Sequence, residues 1–78
     1  MVLMRTYRVQ FNTIEDVKNF VHIASHYGYE IELQRNEYKV DAKSILGVLS
    51  LGMEVPLTVL ADTLNASDFK REIKDYLV

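Results

Sequence analysis

The stretch of residues 40–52 constrains the fold of this chain more than any other part of the sequence. Asp41 is a short polar residue that can accept hydrogen bonds from the free N–H groups at a helix start, and Gly52 is suited to leaving a helix in a left-handed conformation. Three apolar residues between them recur at the i, i+3 and i+4 spacing of one helical face: Ile45, Val48 and Leu49. The stretch therefore predicts a short helix of about two or three turns.

The apolar residues of this helix outnumber those that one buried face requires. They point around most of its circumference: Ile45, Leu46, Val48, Leu49 and Leu51. A helix of this kind is either buried on all sides or presents apolar surface to a partner. A chain of 78 residues has little room to bury it completely. We expect core packing to claim Val48 and part of the remaining surface to form an interface.

Length and composition predict one domain over residues 1–78. The chain has no cysteine, which excludes disulfides and thiolate metal sites. Its net charge of −2 argues against a nucleic-acid partner, because such proteins carry a basic stripe. No apolar run approaches the roughly 20 residues of a membrane span, and residues 1–5 lack the pattern of a signal peptide. We therefore expect a cytoplasmic protein with no membrane partner.

Hydrophobic spacing along the rest of the chain predicts alternating strands and helices. The predicted elements are a strand over 3–11, a helix from 13 to about 26, strands over 29–34 and 38–40, the helix described above, a strand over 55–61 and a C-terminal helix after Asn65. This β-α-β-β-α-β-α order places hairpins between helices rather than strict βαβ units. It predicts an α+β fold in which helices cover one face of an antiparallel sheet, an open-faced β-sandwich.

Capping and turn residues set the boundaries of these elements. Thr13 and Asp16 have the spacing of a capping box, and Asn65 is an N-cap candidate for the C-terminal helix. Asn36 and the residue after it stand where a two-residue hairpin turn is expected, because asparagine tolerates positive φ. Pro56 is best tolerated near the start of its strand or on a sheet edge.

The stretch that contains the predicted second helix also resembles part of a known family. Residues 40–52 read Val-Asp-Ala-Lys-Ser-Ile-Leu-Gly-Val-Leu-Ser-Leu-Gly. This is similar to the second-helix segment of HPr, the phosphocarrier of the bacterial phosphoenolpyruvate-dependent sugar phosphotransferase system. Residues 24–27 and 30–33 resemble the end of that family's first helix and its second strand. The similarity covers nearly the whole chain, and it implies a single HPr-like domain with a four-stranded antiparallel sheet and three helices on one face.

The resemblance fails at the family's phosphorylation motif, Gly-Ile-His-Ala-Arg-Pro. Counting back from Ala24 without a gap places Thr13 at the histidine, Glu15 at the arginine and Asp16 at the proline. The carrier reaction needs an imidazole nucleophile and a cation that neutralises the phosphoryl charge, whereas Glu15 and Asp16 supply like charge that repels it. We expect no catalytic residue and no enzymatic activity. Thr13 is interpreted as a helix N-cap, with a phosphoryl acceptor near Thr13 as the alternative.

Ser44 is the candidate regulatory phosphosite. In Gram-positive members of the family, a serine in this Lys-Ser-Ile context is phosphorylated by a dedicated kinase, and the resemblance implies the same for Ser44. A phosphate there would add about −1.5 to −2 charge beside an apolar surface. The alternative, that Ser44 only helps to cap the helix or persists as a relic, stays open.

The resemblance also implies a partner-binding surface. Ile45, Leu46 and Leu49 correspond to the family's apolar docking patch, and His22 lies on the side of the first helix that would face partners. His22 and His26 are spaced i, i+4 and could form half of a metal site. No further ligand set is evident in the sequence, so neither a metal nor a cofactor is expected.

Three classes of function compete on this sequence. The first is an HPr-like binding or regulatory module controlled at Ser44, whose partners would be phosphotransferase-system proteins, a serine kinase or a transcriptional regulator. The second is a working phosphocarrier that uses Thr13 as its acceptor. The third, a stand-alone enzyme, is disfavoured because the sequence has no nucleophile–base pair, glycine-rich phosphate loop or metal cluster.

Overall fold

The structure, a computed structural model, describes residues 4–78. Residue 3 of the predicted first strand and most of the segment inspected for a signal peptide lie outside the described residues. These residues contain four strands: β1 Arg5–Val9, β2 Ile31–Arg35, β3 Tyr38–Asp41 and β4 Leu57–Ala61. The helices are α1 Ile14–Ala24, α2 Ile45–Ser50 and α3 Ser67–Glu72, followed by a 3₁₀ turn, Lys74–Tyr76. The predicted β-α-β-β-α-β-α order is confirmed.

The four strands form one antiparallel sheet in the order β1-β4-β2-β3. The predicted hairpin joins β2 to β3: Arg35 pairs with Tyr38, and Asn36 has a φ of 54°. β4 lies between two strands and pairs with both. Because proline has no N–H to donate to either neighbour, β4 begins only after Pro56.

One face of the sheet is covered by the helices and the other is open. Alternate residues of β2 and β4 are buried, while those between them are partly exposed, as expected for an antiparallel sheet with one wet face. The largest fully buried side chains come from strands, helices and the segment after β1: Phe11, Phe20, Phe69, Ile31, Leu33 and Leu57. The Phe20 ring lies 4.9 Å from that of Phe11 and 6.0 Å from that of Phe69. The predicted open-faced sandwich is confirmed.

The first helix is shorter than the sequence pattern predicts. α1 ends at Ala24 rather than near His26. The reason is a change of hydrogen bonding in its last turn, where His26 N donates to Ile23 O at 3.1 Å and Tyr27 N donates to Ala24 O at 3.2 Å. Bonds to the third residue back tighten the chain and end the α-helix.

The C-terminal helix differs from the prediction at both ends. Its N-cap is Ala66, which makes no side-chain cap bond, and Asn65 instead accepts from Ser67 N through Oδ1 at 3.0 Å, one position before the cap. The helix ends at Glu72 and is followed by the 3₁₀ turn. Leu77 then leaves the helical face and forms an isolated bridge beside β1, so pairing with the sheet edge interrupts the predicted helix.

Candidate functional site

The start of α1 holds Thr13, Glu15 and Asp16, the residues predicted to align with the phosphorylation motif. Thr13 is the N-cap, as predicted, and its Oγ1 accepts from Asp16 N at 3.0 Å. Asp16 does not return the bond to Thr13, because its Oδ2 accepts from Asn12 N at 3.0 Å. The predicted capping box is therefore displaced by one residue. The hydroxyl of Thr13 and the N–H of Asp16 are both engaged in holding the end of the helix.

The same turn is negatively charged. Glu15 and Asp16 are the acidic residues of the first turn of α1, where the positive end of the helix dipole stabilises carboxylates. A phosphoryl group carried at Thr13 would lie beside these two carboxylates and be repelled by them. The geometry at this helix start favours capping over phosphoryl transfer.

The start of α2 is built differently. Ser44, and not Asp41, is its N-cap: Ser44 Oγ accepts from Gly47 N at 3.1 Å. Asp41 acts one turn earlier, where its Oδ1 accepts from Lys43 N at 2.9 Å. A Cβ at position 47 would lie 3.3 Å from both Ser44 Oγ and the Cβ of Val40, so glycine allows α2 to pack closely here. The first turn of α2 contains no acidic residue.

The apolar residues of α2 divide between the core and the surface. Val48 is buried, as predicted, and so is Leu51. Leu46 is 81% exposed and Ile45 41% exposed, while Leu49 is partly buried against the core. We call Ile45, Leu46 and Leu49 the α2 patch. The packing requirement of a small core therefore leaves an exposed apolar surface directly after Ser44.

Two basic side chains hold α2 in place, and neither role was inferred from the sequence. Lys43 Nζ donates to the carbonyls of Tyr27 and Tyr29 at 2.7 and 2.9 Å, which ties the segment before α2 to the loop between α1 and β2. Arg35 donates to Leu51 O at 2.6 Å, at the end of α2 where a cation is favourable. The Lys-Ser-Ile motif identifies Lys43 as a residue of interest. Its hydrogen-bond partners become known only when the fold brings the two loops together.

His22 and His26 lie on the surface of α1 and just after its end. Both are exposed, and their rings meet edge to face with centroids 4.7 Å apart. Across residues 4–78 the structure contains no group of three or more His, Cys, Asp or Glu side chains that could hold a metal ion. α1 contacts α2, so His22 is carried by a helix adjacent to the α2 patch.

The fold and this arrangement of helix starts define an HPr-like α+β domain. In solved structures, the chain is similar to the phosphocarrier protein HPr from Bacillus anthracis strain Ames, with 24% identity over 96% of this chain and 98% of that chain and a TM-score of 0.74. It is also similar to HPr-C-His from Thermoanaerobacter tengcongensis (24% identity, 92% and 86% covered, TM-score 0.72). A third similar structure is a Mycoplasma histidine-containing phosphocarrier protein (20% identity, 91% and 89% covered, TM-score 0.71).

A family model for the PTS HPr component phosphorylation site matches residues 16–77. The chain therefore belongs to the HPr family of the phosphotransferase system. Members of this family are phosphocarrier proteins rather than enzymes, and they interact with other proteins of that system. The matched range begins at Asp16, so Thr13 and Glu15 lie before it. Their alignment with the family's histidine and arginine stays a prediction.

Residues 4–78 contain no helix that is long and apolar enough to cross a membrane.

Proposed function

We propose that this protein is a binding or regulatory module of the HPr family that does not carry a phosphoryl group on α1. The observation behind the proposal is the start of α1, where Thr13 caps the helix and two carboxylates fill its first turn. A hydroxyl is a poor nucleophile without an adjacent base. The phosphoryl group would also have to displace the capping bond and approach like charge. A cytoplasmic location and a single HPr-like domain over residues 1–78 are part of this proposal.

We propose that partners bind the α2 patch together with His22. Leu46 supports this assignment, because a leucine that is 81% exposed gains nothing from the core and costs solubility. Burying it against a partner would remove apolar surface from water at about 25 cal/mol per Å². The proposed partners are phosphotransferase-system proteins, a serine kinase or a transcriptional regulator.

Ser44 is the proposed control point of this surface. It directly precedes Ile45 and Leu46, and its hydroxyl is half-buried while it accepts from Gly47 N. Phosphorylation would replace that hydroxyl by a group of about −1.5 to −2 charge beside the α2 patch. Lys43 is bound to two backbone carbonyls, so neutralising the phosphate would draw it away from them. The added charge would weaken the binding of partners that make apolar contacts and strengthen the binding of partners that present arginine or lysine.

Intact-mass measurement after two separate incubations tests the proposal. One incubation contains Enzyme I and phosphoenolpyruvate, and the other contains the HPr serine kinase and ATP. We expect one phosphate from the kinase, absent in Ser44→Ala and still present in Thr13→Ala. A phosphate from Enzyme I that is lost in Thr13→Ala would establish the alternative, a phosphocarrier with an acceptor at Thr13. If neither incubation adds a phosphate, the proposal that Ser44 is the control point is refuted.

The α2 patch is tested with a matched pair of exposed leucines. Leu46→Asp places charge in the patch, whereas Leu64→Asp makes the same change in the loop after β4, at a leucine that is 62% exposed. Both variants should fold, because neither side chain is in the core. We expect only Leu46→Asp to lose binding to phosphotransferase-system proteins in titration calorimetry. Equal binding by both variants would remove the docking proposal.

A further inference from the structure

Among residues 4–78, β3 is an edge strand whose outward backbone groups have no strand beside them, because the sheet order of these residues places β3 next to β2 alone. Ala42 N donates to Ile31 O, and in a strand only every second residue points its N–H and C=O toward the same neighbour. Val40 and Tyr38 therefore bond inward to β2, and Lys39 and Asp41 direct their backbone groups outward. The other edge is different, because the C-terminal segment pairs with the end of β1.

The side chains of Lys39 and Asp41 lie on the open face of the sheet. Their partners on β2 are Gln34 and Glu32, so Asp41 stands directly opposite Glu32. Two carboxylates in this position repel each other. Within residues 4–78 the structure has one salt bridge, between Asp68 and Arg71 on α3, so neither of these carboxylates is paired with a cation.

The open face thus carries two rows of side chains that run across the sheet, one with acidic residues and one with basic residues. One row contains Thr6, Leu60, Glu32 and Asp41, and ends at β3 in two acids. The adjacent row contains Arg8, Thr58, Gln34 and Lys39, and ends at β3 in a base. A twofold axis at the β3 edge, between the two rows, places the acidic row of a second copy in line with the basic row of the first. The basic row of one copy would then continue into the acidic row of the other.

We propose that a second copy of this chain pairs with the first through β3, antiparallel and with Val40 on the twofold axis. In this register Lys39 of each copy faces Asp41 of the other. These are the residues with outward backbone groups, so each facing pair can exchange two N–H···O bonds. The carbonyl of Asp41 already accepts from Ser44 N, and its second lone pair remains available. Asp41, the last acid of its row, acquires a neighbouring lysine, and the two sheets become one.

The β3 edge is accessible, because Tyr38, Lys39 and Asp41 are exposed and Val40 is half-buried. Two open clefts border β3, and both are lined by Lys39 and Val40: one extends to Glu30 and Lys43, and the other to Arg35 and Leu51. Tyr38 is 72% exposed beside the second cleft, on the same side of the sheet as Val40. The interface is isologous, so the same short surface serves both copies and closes the assembly at two.

Sedimentation equilibrium of the full chain at low salt, carried to millimolar protein, tests the proposal. We expect a reversible dimer that weakens as salt is added, because its charge pairs are exposed. Lys39→Glu and Asp41→Lys should each weaken the dimer by about tenfold or more, since each turns two attractive pairs into repulsive ones. An equimolar mixture of the two variants should dimerise again, because every pair across the axis is then of opposite charge. Lys74→Glu, on the 3₁₀ turn, is the charge-matched control and should leave the dimer unchanged.

Lys39→Pro separates strand pairing from charge alone. The N–H of Lys39 points outward, so proline there removes a donor to the second copy and none to β2. We expect a monomer with the circular dichroism of the parent protein. A chain that stays monomeric at every concentration would overturn the proposal. So would a dimer that survives Lys39→Glu and Lys39→Pro, because it must use another surface. If Asp41→Lys does not fold, these two variants at Lys39 still decide the question.

Discussion

Gly52 ends α2 in a backbone conformation that other residues avoid, and replacing it should be costly. Its φ is +91°, and a Cβ built there would lie 2.8 Å from a guanidinium nitrogen of Arg35. That guanidinium donates to Leu51 O at 2.6 Å. Gly52→Ala therefore introduces backbone strain and forces Arg35 away from the end of the helix that carries the α2 patch.

The expected loss follows from these two contributions. A left-handed conformation costs a residue with a Cβ about 1–2 kcal/mol, and a lost hydrogen bond costs about 0.5–1.5 kcal/mol. The free energy of unfolding of Gly52→Ala should therefore fall by about 1.5–3.5 kcal/mol. For a domain of this size, at about 4–8 °C per kcal/mol, that corresponds to a melting temperature lower by roughly 6–28 °C.

Urea denaturation followed by circular dichroism measures this difference, with Gly28→Ala as the control. Gly28 does not have a positive φ, and a Cβ there would meet no atom within 4 Å among the residues that the structure describes. We expect Gly28→Ala to change the free energy of unfolding by less than about 1 kcal/mol, because alanine acts there mainly by lowering the conformational entropy of the unfolded chain. Equal stability of the two variants would refute the argument from backbone conformation.

Three further predictions concern single side chains. Thr13→Ala should lower the free energy of unfolding by about 0.5–2 kcal/mol through loss of the α1 cap, and Thr13→Ser, which keeps the hydroxyl, should stay near the parent protein in the same denaturation assay. Lys43→Met should cost about 1.5–3 kcal/mol, because it removes a charged donor from two carbonyls of the α1–β2 loop; an unchanged midpoint would contradict this. The hydrogen bond from Tyr27 to Glu72, with burial adding to it, raises the pKa of Tyr27 from 10.0 to about 12, and Glu72→Gln should lower it in a spectrophotometric titration. The raised pKa means that the neutral phenol stabilises the fold below pH 10 and that this contribution is lost as the pH rises through 12.

Local sequence signals located most of the elements in this chain. Alternation in β2 and β4, the i, i+3, i+4 spacing of α1 and the hairpin at Asn36 each depend on neighbouring residues, and all were predicted. The errors fall at boundaries, and the error at the C-terminus arises where a distant segment competes. The C-terminal helix is interrupted because Leu77 pairs beside β1, and no local pattern at Leu77 reveals that partner.

In the candidate site, too, some features follow from the local sequence and others only from the folded structure. Thr13 as an N-cap and the buried position of Val48 follow from spacing and residue type, and both are confirmed. The cap of α2 does not follow, because Asp41 and Ser44 are both good caps and only the path of the chain after β3 selects Ser44. The partners of Lys43 and Arg35 also require the folded arrangement of loops.

The sequence by itself determined the order of strands and helices and the apolar faces that these elements turn to the core. These depend on residue type and short-range spacing, which the chain carries in any conformation. Only the tertiary structure decided how much of α2 stays exposed and which strand became the free edge. The extent of burial and the pairing of charges across strands are properties of segments far apart in sequence, and they exist only once packing brings those segments together.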